Sequence, residues 1–287
     1  MKVRIFIVIG IILSALLFLM TERPKLSEIS APKTILFVGN SFTNYNNSLH
    51  HHVRELAVSL HPPEEAKKFF FKAITISGGH LSDHVIGAKG MIMNHKSKKK
   101  KGPWDVVVLQ GHSKEPIKAK KIGRFRASAA QLDAWIRDAG SKTVLFMTWA
   151  YKHKPEMAQP LANAYTQLGY ELDALVVPVG LAFELARIEN PEMELYTEDR
   201  VHPSLLGTYL AANVFVATLY RLSPVGASYW AGLHQEEAEF AQQIAWKTVQ
   251  TYFGIEAHEV SEASKVLAKP VENKRKPRHA VARPPAA

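Results

Sequence analysis

The 287-residue chain predicts an α/β fold of three layers, with a five-stranded parallel sheet between two sets of helices. Short apolar runs alternate with longer amphipathic stretches from residue 34 onward, as in strand–helix–strand repeats. An apolar content of 47% is that of a globular chain with a substantial core. Polar segments recur just after the apolar runs, where open parallel sheets build their sites.

The first run, Thr34-Ile35-Leu36-Phe37-Val38, reads as a buried strand. Further strands are expected at 70–76, 105–109, 143–148 and 175–179, and helices between them at 48–60, 81–93, 124–138 and 158–172. Gln131, Leu132, Trp135 and Ile136 recur at helical spacing, and Gly140 supplies a stop. Another helix is expected to begin near Pro203, a favoured first-turn residue, and to run through Leu210, Val214 and Leu219. The last, at 235–253, carries Phe240, Ile244, Trp246, Val249 and Phe253. This order implies a flavodoxin-like α/β/α architecture over 33–255, after a linker at 22–32 and before a basic tail, 256–287, expected to be disordered.

Lys2 and Arg4 precede Ile5 to Met20, sixteen residues without a charge, so residues 1–21 read as a signal peptide or membrane anchor. No small-x-small cleavage site follows directly, which favours the uncleaved anchor. The charge bias places the rest of the chain across the membrane, in the periplasm or at the cell surface.

The net charge of +10 concentrates in the loop Lys96 to Lys101 and in the tail from Lys265, leaving the remainder near neutral. Such appendages suit weak contact with anionic lipid or polymer. No basic face with groove-reading or stacking elements argues for specific nucleic-acid binding. The absence of cysteine excludes disulfides and thiolate chemistry.

Two short segments carry the chemistry. Gly39-Asn40-Ser41 follows the first strand, and Asp199-Arg200-Val201-His202 places a carboxylate three residues before an imidazole. Ser41 is a candidate nucleophile, His202 its base, and Asp199 the acid that orients the imidazole. Singly, each has an ordinary reading as a turn or capping residue. Oxyanion donors are expected from the N–H of Ser41 and of Gly78 or Gly79, with His112 or Gln110 as a side-chain donor after the third strand. Asn40, Asn44, Gln110 and Trp149 are read as substrate-binding, and Tyr45, Asn46 and Tyr151 as neighbours of the pocket. His50-His51-His52 reads as a solvated helix face, since consecutive helical residues point about 100° apart and share one ion poorly.

These residues resemble the SGNH hydrolases, also called GDSL-type esterases and lipases. Gly39-Asn40-Ser41-Phe42 is similar to the family's first block, Gly78 to its second-block glycine, and Asp199-x-x-His202 to its fifth. The likeness spans roughly residues 32–222, and the segment 196–220 resembles a bacterial exported branch. It implies an acyl-Ser41 mechanism without metal or organic cofactor, acting on short acyl esters, lipids or carbohydrate O-acetyl groups. The third block departs: Leu109-Gln110-Gly111-His112-Ser113 lacks the usual Asn, so His112 stands where that donor would. An O-acyltransferase with the same triad and a non-catalytic binder of cell-envelope polymer remain as alternatives.

Overall fold

The structure is a computed structural model that describes Ile29 and residues 31–93 and 103–255. The expectations for the N-terminal segment, most of the linker, the lysine loop and the tail lie outside the described residues. Among these residues, no helix is long and apolar enough to cross a membrane.

Five strands form one sheet: β1 (Thr34–Gly39), β2 (Phe70–Thr75), β3 (Val106–Leu109), β4 (Lys142–Phe146) and β5 (Leu175–Val177). Their order is β2-β1-β3-β4-β5, and every pairing is parallel. The architecture is thus the flavodoxin-like one. The central strands β1 and β3 are buried at every position, which is why they read as unbroken apolar runs.

Ten α-helices connect or flank the described strands: α1 (Ser41–Asn44), α2 (Leu49–Leu60), α3 (Pro63–Ala66), α4 (Leu81–Gly87), α5 (Lys89–Met93), α6 (Ala119–Asp138), α7 (Ala158–Leu172), α8 (Val179–Glu189), α9 (Leu205–Tyr220) and α10 (Gln235–Phe253). Helices α4, α5, α6 and α7 pack along one face. On the other, α9 packs against α2, α8 and α10, and every residue from Leu206 to Tyr220 is buried. Its apolar circumference follows from being enclosed on all sides.

Two expectations change. Pro203 is not in the first turn of α9; it bridges to Tyr196, and Ser204 caps the helix by accepting the Gly207 N–H at 3.1 Å. Helix α6 begins at Ala119, five residues before the expected start, because its basic first turn faces solvent and carries no apolar period. The short helix expected after the last strand is α8: its apolar sequence continues that of β5, and Pro178, its N-cap, marks the break.

Candidate active site

The site forms at the carboxyl edge of the sheet, where β1 delivers Ser41. Asn40 has extended backbone and caps α1, its Oδ1 accepting the Phe42 N–H at 3.1 Å. That turn lifts Ser41 out of the sheet, half-buried, at the start of α1. Ser41 Oγ lies 2.9 Å from His202 Nε2. On the ring's other side, His202 Nδ1 lies 2.5 Å from Asp199 Oδ2.

The partners fix the tautomer. An ionised carboxylate can only accept, so Nδ1 carries the proton and Nε2 is free to accept from the Ser41 hydroxyl. Asp199 is held on its other oxygen by the Val201 N–H at 2.8 Å, the His202 N–H at 2.9 Å and the Thr197 hydroxyl at 2.8 Å. What burial it has pushes its carboxyl up, but the hydrogen bonds from the His202 ring, the two backbone N–H groups and Thr197 outweigh that. They hold it well below the usual carboxylate range. Arg200, between the two, adopts a left-handed backbone with φ 61°, which bends the loop sharply enough for carboxylate and imidazole to meet.

The imidazole is also fixed by packing. Tyr45 stacks on the His202 ring with centroids 4.3 Å apart and planes 8° from parallel, and Phe42 meets it edge-on at 5.6 Å. Asn46 is half-buried beside this packing. Its Nδ2 reaches the carbonyls of Pro203 and Ser204 at 2.9 Å and the Thr208 hydroxyl at 2.7 Å, tying the turn after α1 to the loop that carries His202. His52 is buried rather than solvated, bridging the Asn46 carbonyl at 2.5 Å and the Tyr229 hydroxyl at 2.9 Å.

Three residues read as substrate-binding are instead internal. Gln110 is 1% exposed; its Oε1 accepts the Asn40 N–H at 3.0 Å and the Thr43 hydroxyl at 2.8 Å. Its Nε2 donates to Asn40 Oδ1 at 2.8 Å and to the Gly111 carbonyl at 2.7 Å. Asn40 is likewise buried, donating from Nδ2 to the Gly79 carbonyl at 3.0 Å. Trp149 is sandwiched between Phe42 and Phe183, and its indole N–H donates to the Val201 carbonyl at 3.0 Å. It supports the Asp199–His202 loop from beneath. Asn44 alone of the four is exposed.

Of the expected oxyanion donors, the N–H groups of Ser41 and Gly78 donate to no acceptor among the described residues, whereas the Gly79 N–H is taken by the Ile76 carbonyl at 2.9 Å. Gly78 is exposed and left-handed at φ 65°, a conformation that suits glycine. His112 is half-buried and stacks on His80 at 4.7 Å. Its Nδ1 faces the Lys114 N–H at 3.5 Å, so the ring's proton belongs on Nε2. Burial first, then the neighbouring His80, Lys121 and Lys114, push its pKa down, against Glu115, and favour the neutral form.

No protein-family model and no curated protein matches the chain. Solved structures match through their fold. A DUF4886 family protein from Bacteroides uniformis is 18% identical over 77% of this chain and 95% of its own, with a TM-score of 0.57. A protein from Slackia heliotrinireducens, proposed to be an SGNH hydrolase, is 24% identical over 66% of this chain and all of its own, at 0.51. The acetyl xylan esterase AlAXEase is 16% identical over 65% and 99%, at 0.52. The chain has the SGNH hydrolase fold.

Proposed function

We propose that this chain is a serine esterase that hydrolyses carboxylic esters through an acyl-Ser41 intermediate. The observation that carries the reading is the continuous hydrogen-bonded line from Ser41 Oγ through the His202 ring to Asp199. In it, Ser41 Oγ attacks the ester carbonyl while its proton passes to His202 Nε2, and the imidazolium that forms is stabilised by Asp199. The N–H groups of Ser41 and Gly78 and the Nε2–H of His112 receive the developing oxyanion. His202 then returns the proton to the departing alcohol. Water, deprotonated by the same nitrogen, attacks the acyl carbon, releases the carboxylate and restores Ser41.

Short acyl esters or carbohydrate O-acetyl groups fit a small, partly exposed nucleophile, and the fold is one on which an acetyl xylan esterase is built. The charge-flanked apolar segment of residues 5–20 supports export and membrane anchoring, with 33–255 as the catalytic domain. The test is turnover of an aryl acetate by the full chain, with fluorophosphonate labelling of Ser41. Ser41→Ala is expected to abolish both while keeping the wild-type circular dichroism and melting temperature; retained turnover overturns the assignment.

A further inference from the structure

The chain between Lys114 and Arg126 carries six Lys/Arg and one acid, Glu115. This segment leaves the carboxyl edge of β3, the edge that delivers Ser41. The link to the nucleophile is short and bonded. Asn40, next to Ser41, holds the Gly79 carbonyl on one side, and Gln110 ties Asn40 to Gly111 on the other. His80 and His112 are the next residues along each loop, and their rings stack at 4.7 Å beside the nucleophile's turn.

Two ammonium groups stand near this stack. Lys121 Nζ lies 3.4 Å from His80 Nε2, and Lys114 Nζ lies 4.6 Å over the ring of Tyr151, whose hydroxyl meets Ser113 Oγ at 2.7 Å. Neither lysine forms an ion pair with a carboxylate among the described residues. Two acids lie close. Glu115 is fully buried behind the stack, where its Oε2 faces His80 Nδ1 at 3.3 Å and accepts the His112 N–H at 3.1 Å, more distantly the Leu81 N–H at 3.4 Å. It fastens both flanking loops together and shows no oxygen to solvent. Asp83, on the surface, accepts the His80 N–H at 2.8 Å and feels the positive charge of Arg124. The solvent side of the stack therefore carries Lys114 and Lys121, with Asp83 bonded to the His80 backbone at its edge, while Glu115 is turned inward.

We infer that Lys114 and Lys121, across the His80–His112 stack, form an anion subsite next to Ser41, and that the preferred ester carries a carboxylate or phosphate on the part beyond the scissile bond. The inference rests on the esterase reading for its reaction, but its binding chemistry is independent of turnover. Glu115 is a positioning residue here: it sets the spacing of the two loops and touches no substrate.

Two measurements on the full-length protein test it. The first compares kcat/KM for carboxyphenyl acetate with that for the near-isosteric neutral carbamoylphenyl acetate, so that the charge lies on the departing alcohol as it does in the sugars below. Wild type should favour the anionic ester, and the advantage should shrink with added salt. The double variant Lys114→Gln/Lys121→Gln should lower that preference about tenfold, the size of two partly screened charge contacts, chiefly through KM. Lys142→Gln, at the amino edge of the sheet, should leave the ratio unchanged. The second is calorimetric titration of Ser41→Ala with glucuronate, glucose 6-phosphate and glucose. Binding of either anionic sugar but not of glucose, lost in the variant that also lacks both lysines, supports the subsite and tells carboxylate from phosphate. Equal binding of all three, or a preference that survives loss of both lysines, overturns it. Anion-selective binding without any ester turnover would sink the esterase reading and leave the subsite standing.

Discussion

Gln110→Glu is the sharpest probe of how the nucleophile is held. Glutamate has the shape of glutamine, so the packing of a residue that is 1% exposed stays intact. Oε1 still accepts the Asn40 N–H and the Thr43 hydroxyl. The second oxygen, however, now faces two acceptors, Asn40 Oδ1 and the Gly111 carbonyl, where an NH2 group had donated to both. Only a protonated carboxyl can donate there, so the folded protein raises the pKa of the new group above its unfolded value of about 4.3. The sign follows. Below about pH 4 both states hold the proton, and the variant loses only the one unmade hydrogen bond, about 1 kcal/mol. As pH rises, the unfolded chain ionises while the folded one does not, and stability falls by about 1.4 kcal/mol per unit. The interval of about 2.7 units to pH 7 caps this pH-linked loss at about 3.7 kcal/mol. Urea unfolding of variant and wild type at about pH 4.5 and pH 7 measures it, through a midpoint difference that widens at the higher pH. A difference independent of pH would refute the reasoning, because it would mean that residue 110 can ionise where it stands and is not enclosed by acceptors.

Three further outcomes concern His112 and Asp199. His112→Ala removes one proposed oxyanion donor and should lower kcat on an aryl acetate by about 10²–10³-fold with little change in KM, and His112→Asn, which restores an amide donor, should recover part of the loss. Equal rates for both variants and wild type would remove His112 from the mechanism. Asp199→Asn should lower kcat by up to about 10⁴-fold, because an amide NH2 facing Nδ1 favours the tautomer that leaves Nε2 protonated. Since hydrogen bonds hold the Asp199 carboxyl below the usual range, the wild-type protein should keep an ionised Asp199, and its share of the loop's stability, down to pH values where a free aspartate is half protonated. Carboxyl chemical shifts followed through an acid titration check this; a midpoint at or above the ordinary aspartate value would contradict it.

The contrast between Ser41, Asp199 and His202 on one hand and Gln110 and Glu115 on the other shows what a sequence can disclose. The first set sits in two motifs, each a few residues long, whose spacing alone brings Asp199 beneath His202, and the apolar run of β1 announces where Ser41 emerges. The second set acts across the sheet. Gln110 reaches Asn40 only because β3 lies beside β1, and Glu115 reaches Leu81 only because the loop after β3 folds toward the loop after β2. Such contacts depend on strand order, which a string of residues states weakly. One local mark was nonetheless present. Gly39 has no left-handed backbone to explain it; a Cβ there would stand 2.5 Å from Gln110 Oε1 and 2.6 Å from Thr43 Oγ1. Gly39, two residues before Ser41, is a glycine of space rather than of conformation, and the side chain that claims the space is the one that fixes the turn. Gly39 thus records the presence of a distant partner, Gln110, without naming it. The polar residue closing β3 is then better read as the support under Ser41, and His112, two residues on, as the first of that loop free to face a substrate.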